Sequence, residues 1–182
     1  MKPSYQIKLA RLNASLDDLA RQLEKFSQKQ LNAKPAPDAW SALQVLQHLT
    51  SAESLSMQYL QKKLVLPPDS FEKTGAGTWL RCLVLRLSMM SPLKFKAPKA
   101  VNEETFPQKA NFEQVVKNWR AARLELARLL ESIEPDYFSR NIYKHPRAGK
   151  MTVDGMLDFF QEHFDRHRRQ IERALKSGKV QQ

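Results

Sequence analysis

The chain has 182 residues with a formal net charge of +11, and 42 % of it is hydrophobic. That length predicts one domain, and the composition is globular, which excludes a disordered polyampholyte. Five Gly and ten Pro are too few for a Gly-punctuated sandwich or a Gly-rich cofactor fold, and helix is the expected class.

From Tyr5, the residues Leu9, Leu12, Leu16, Leu19, Leu23 and Phe26 recur in steps of four and three, the one-sided stripe of a helix in a bundle. Residues 31–40 hold two prolines and no period. Ser41 followed by Gln44 reads as a capping box, so a second helix is expected from about 41 to 63. Its inward seam reads as Val45, His48, Ala52, Leu55 and Tyr59.

Pro67 and Pro68 end that helix. The apolar segment from Trp79 to Met90 is too short to span a membrane and contains Arg81 and Arg86. It has the bulk of an interfacial helix, but a crossover lying on the bundle is the preferred reading. Residues 91–110 carry three prolines and no period, a long connection of the kind that is often functional.

Asn111 and Gln114 form another expected capping box. It opens a stripe of Phe112, Val115, Trp119, Ala122, Leu126, Leu129 and Ile133. A loop is expected over 134–151, with Thr152 as the next N-cap. The final stripe is Val153, Leu157, Phe160, Phe164, His167, Ile171 and Ala174. Four matching stripes predict an all-α, four-helix bundle with a long crossover connection.

Single Cys82 excludes an intrachain disulfide framework, and the N-terminus has no long apolar run; a cytoplasmic protein is expected. Basic residues gather at 139–182 and 78–110. No nucleic-acid motif accompanies them, and the only aromatic–basic interleaving is KFK at 94–96, so nucleic acid is disfavoured as a partner.

Of the four histidines, His163 and His167 lie four apart on the last helix, a spacing that lets two imidazoles converge on one ion. His48 occupies a seam position on another helix and is the candidate third ligand. A buried, hydrogen-bonded core role weighs about equally with metal binding for the three together. Three neutral imidazoles suit Zn, Ni, Fe(II) or Cu(II) and leave a coordination position open.

Trp40, Ser41, six residues, His48 and Leu49, followed by Gly149, Met151, Thr152, Leu157, His163, His167, Gln170 and Ile171, resemble the DinB/YfiT-like superfamily over about residues 5–176. The resemblance implies a four-helix bundle that binds a divalent metal (Zn, Ni, Mn or Fe) through His48, His163 and His167. It also implies thiol-dependent S-transfer, with a low-molecular-weight thiol such as bacillithiol, mycothiol or glutathione, or hydrolysis of a small-molecule substrate. The alternative is a noncatalytic module with a structural metal or none, contacting nucleic acid or a protein through its basic face. A homodimer is the assembly considered.

Around such a site, His145 is a candidate acid, base or substrate contact in its loop, against the plainer reading of an exposed residue. Gln44, Glu162 and Gln170 are candidates to support ligands or touch substrate, against ordinary helix-surface roles. Arg147, Lys150 and Arg166 could hold an anionic substrate or the carboxylates of a thiol cofactor, and a solvated basic rim is the competing reading. Cys82 is expected as a small buried hydrophobe rather than a nucleophile.

Overall fold

In a computed structural model, residues 1–91, 106–107 and 109–178 are described. Helix α1 (Pro3–Leu23) starts with proline in its first turn, where the missing amide proton costs nothing. It ends one turn short of Phe26. The chain then restarts at Ser27, whose capping box with Gln30 opens the short helix α2 (Gln28–Asn32), in a region the sequence leaves without a period.

Helix α3 (Ala42–Leu64) starts as expected: the Ser41 hydroxyl accepts from the Gln44 amide, and the Gln44 side chain accepts from the Ser41 amide. Helix α4 covers Ala76–Met90. Helix α5 (Phe112–Ser132) has half of its expected box. Asn111 accepts from the Gln114 amide, while the Gln114 side chain turns to Asn118 instead of reaching back.

The expected loop at 134–151 contains a 3-10 turn at Pro135–Tyr137 and a two-stranded antiparallel hairpin of β1 (Tyr143–His145) and β2 (Gly149–Met151). His145 pairs with Gly149, whose φ of 79° supplies the left-handed residue that a three-residue hairpin loop needs. Helix α6 (Val153–Gly178) follows, with the Thr152 hydroxyl capping the Gly155 amide.

Helix α3 packs against α5 and α6, and α1 against α6 and α5, so the four longest helices share a common interior. Helix α4 lies on α6 and β2. One group of buried side chains is built around Leu12, Leu60, Leu126 and Phe160; a second contains Leu23, Leu46, Trp119 and Phe164. Each fully buried large apolar side chain contributes about 1.5–3 kcal/mol. Across the α1–α6 contact, Lys2 and Lys8 both pair with Asp154 in the first turn of α6.

The expected seam of α3 is rotated. Leu55 is 42 % exposed, while Glu53 and Ser56 are buried. The apolar pattern misleads here because both polar groups have interior partners. Glu53 meets Arg123 and Trp119, and Ser56 meets the Tyr143 hydroxyl at 2.9 Å. Most of the long connection expected at 91–110, including KFK at 94–96, lies outside the described residues. No helix among the described residues is long and apolar enough to cross a membrane.

Candidate metal centre

Helix α3 carries His48 seven residues past its cap, and α6 carries His163 and His167 one turn apart on the side that meets α3. The His163 Nε2 lies 3.2 Å from His48 Nε2 and 3.0 Å from His167 Nε2. One ring nitrogen from each histidine falls within 4.8 Å of the others, a spacing at which all three could meet one ion. His48 is buried, and His163 and His167 are half-buried.

Each ring is held from behind. The Trp40 ring meets His48 edge-on at 5.0 Å, and Phe159 stacks on His163 at 5.1 Å. The Nδ1 of His167 is 2.8 Å from Gln170 Oε1. Gln170 has only an acceptor there, so Nδ1 carries the proton and the Nε2 lone pair faces the cluster.

Loss of hydration and repulsion from neighbouring charges keep the His163 and His167 rings neutral. Desolvation, then the neighbouring histidines, holds His163 well below the ordinary imidazole range. Desolvation, followed by His48, brings His167 to about 3 despite the opposing bond to Gln170. Three imidazoles whose Nε2 atoms converge form a donor set that fits a borderline divalent cation.

His145 is a buried strand residue. Its Nδ1 accepts the backbone amides of Arg147 and Ala148 at 3.2 and 3.0 Å, which ties the hairpin turn to its side chain. Its ring meets Phe159 edge-on at 4.4 Å, so Phe159 stands between His145 and the cluster. Burial, aided by the Arg147 charge, lowers its pKa to about 4. Arg147 itself is exposed on the turn.

Gln44 is buried one turn before His48. Its Oε1 closes the helix cap, while its Nε2 has no hydrogen-bond partner among the described residues. Arg166 donates from Nη1 to the carbonyls of Ser88, Met89 and Ser91 and so caps the C-terminal end of α4. Lys150 pairs with exposed Glu72. Glu162 lies 3.7 Å from Arg86, and burial, reinforced by Asp158, raises its carboxyl to about 7. Cys82 is half-buried, and desolvation raises its thiol pKa, the opposite of an activated nucleophile.

Two features escaped the sequence reading. One is Phe159, whose ring touches both His145 and His163; its position four residues before His163 on one helix face was the available signal. The other is the buried pair Glu53–Arg123, with Oε1 to Nη2 at 2.7 Å and the Trp119 indole N–H donating to Glu53 Oε2 at 3.1 Å. Two charges on amphipathic helices carry no mark of burial, so no sequence signal identified it.

The family model of the DinB superfamily matches residues 11–171, which include all three histidines. The chain belongs to the DinB superfamily. It is also similar to the uncharacterized protein YuaE of Bacillus subtilis (strain 168), at 25 % identity over 151 residues, covering 82 % of this chain and 86 % of that protein. No solved structure matches the chain. Membership agrees with the resemblance carried by Trp40, Ser41, His48, His163 and His167.

Proposed function

We propose that this DinB superfamily member is a single-domain four-helix bundle with a long crossover, in which His48, His163 and His167 hold a divalent metal. The candidate metals are Zn, Ni, Mn and Fe. In this reading it is a metal-dependent enzyme acting on a small molecule, of the thiol-dependent S-transferase or hydrolase type. The observation that carries the reading is the convergence of three Nε2 atoms from two helices, at 3.2 and 3.0 Å about His163.

When bound, a divalent metal supplies Lewis acidity that lowers the pKa of a water or thiol meeting it. Everything else falls to the protein. Gln170 fixes the tautomer of His167, Trp40 bounds the His48 ring, and Phe159 covers one face of His163.

Gln44 offers its unpartnered amide Nε2 as a hydrogen-bond donor beside His48. His145 has its Nδ1 committed to the turn and offers only Nε2 for a proton or a substrate contact. Arg147 supplies positive charge for a carboxylate of an anionic substrate or a thiol cosubstrate.

Elemental analysis of purified protein, with His48→Ala and His167→Ala as controls, tests the metal. The wild type is expected to hold close to one equivalent and the variants far less. Less than about 0.2 equivalents in the wild type after reconstitution with Zn, Ni or Mn would sink the proposal. Bacillithiol or glutathione added to a Co(II)-loaded sample separates the readings: a changed visible spectrum supports thiol transfer, and an unchanged one favours the hydrolase or the noncatalytic binding reading.

A further inference from the structure

Helix α4 buries only Thr78, Leu85 and Met89 on one side. On the other, Trp79, Leu80, Val84, Leu87 and Met90 are 68, 54, 54, 58 and 66 % exposed. At 3.6 residues per turn these five occupy roughly 140° of the helix circumference. A contiguous exposed apolar face of this kind marks an interaction surface, whereas isolated surface leucines do not.

Cations border the face on both edges. Arg86 stands on one side and is 65 % exposed at its side chain. On the other side, Arg81 and the β1–β2 hairpin close a cleft of about 340 Å3 with Leu80, Val84 and Arg147. Lys144 and Lys150 are also exposed on that hairpin. The nearby acids Glu162 and Glu72 are paired with Arg86 and Lys150.

We infer that the exposed face of α4 docks on an anionic membrane surface, with Trp79, Leu80, Val84, Leu87 and Met90 entering the headgroup boundary and the exposed Lys144 and Arg147 of the hairpin meeting lipid phosphates. Charge selects this occupant. A second copy would bring two basic rims together on chains that each carry +11. Nucleic acid would find a mainly aliphatic arc with one aromatic ring, a poor stacking platform. An interfacial helix has this layout of apolar bulk, tryptophan at the boundary and flanking Lys or Arg.

The test is co-sedimentation of the full-length protein with vesicles of equal phosphatidylglycerol and phosphatidylcholine, against pure phosphatidylcholine, at near-physiological salt. Partitioning onto anionic vesicles is expected to be at least about tenfold stronger. Leu87→Asp and Val84→Asp, both at exposed positions, are expected to weaken it about tenfold or more. Tryptophan emission of the wild type should shift to the blue on vesicles, and Trp79→Phe should abolish the shift, a readout that needs no charged variant to fold.

Three results would overturn the inference. One is absence of binding to anionic vesicles, and another is undiminished binding by folded Leu87→Asp and Val84→Asp, which would leave charge alone. The third is a micromolar dimer that Leu87→Asp dissociates, which would assign the face to a second copy.

Discussion

Gln170 Oε1 accepts from His167 Nδ1 at 2.8 Å, one turn further along α6 than the ring it orients. The bond leaves the His167 Nε2 lone pair aimed at His163 and His48. Removing it frees the ring to rotate and to change tautomer. Gln170→Ala is expected to retain the helical fold and lose about 10–100-fold in affinity for Zn or Co(II), read by chelator competition. Unchanged affinity would show that packing alone orients His167.

The depressed pKa values of His163 and His167 give metal binding an unusual pH profile. Two ordinary imidazoles with pKa near 6.5 would cost about 100-fold in affinity between pH 7.5 and 5.5, because each must lose a proton before it can ligate. Here both rings are already neutral in that window, His167 down to about 3. The expected loss is less than about tenfold, measured by Co(II) titration at the two pH values. A loss of about 100-fold would mean that the rings are hydrated and ordinary.

His145 makes the metal-free fold sensitive to acid. Its folded pKa, near 4, is depressed below the unfolded value of about 6.5. The unfolded chain therefore binds the extra proton first, and stability is fully present above pH 6.5 and lost as pH falls toward 4. The contribution of this residue is on the order of 1–3 kcal/mol. Asn at 145 preserves an acceptor for the turn amides but cannot titrate. Urea denaturation of metal-free His145→Asn should show a shallower decline between pH 7 and 5 than the wild type, and parallel declines would assign the acid sensitivity elsewhere.

The buried Glu53–Arg123 pair should respond asymmetrically to mutation. Burial pushes the Glu53 carboxyl up against the pull of Arg123, so neither charge is comfortable alone. Glu53→Ala is expected to destabilise by about 3–5 kcal/mol, since it strands a guanidinium whose Nε and Nη1 already lack partners. Combining Glu53→Leu with Arg123→Met should restore most of that loss in urea denaturation. Strict additivity of the two single changes would argue against coupling.

Much of this architecture was legible in the residue order, and the failures share a cause. Stripes such as Leu9, Leu12 and Leu16, or Val153, Leu157 and Phe160, appear in the structure as buried faces because apolar spacing directly reports which side avoids water. Ser41 with Gln44 and Thr152 were readable as caps because a hydroxyl beside a helix start has one local task. The α3 seam was misread at Leu55 because its interior includes Glu53 and Ser56, whose partners lie on α5 and β1. Likewise, His145 looked like a loop residue because its environment comes from Phe159 and the turn amides, contacts that spacing along the chain does not encode. Helix periodicity offered the convergence of His48 with His163 and His167 as one of two equally weighted readings, and the family resemblance implied it; Gln170 stood among several polar neighbours until its distance to Nδ1 was known.

The Glu53–Arg123 pair also bears on the registry of two helices. A slide of one turn between α3 and α5 would have to repack buried Trp119 and Phe112 among the aliphatic side chains between them. The same slide would also leave the two charges of an ion pair 3 % exposed on both sides facing hydrocarbon. The buried pair and the packed Trp119 thus act together on how far α3 advances along α5, and with it on the height at which His48 meets the rings of α6.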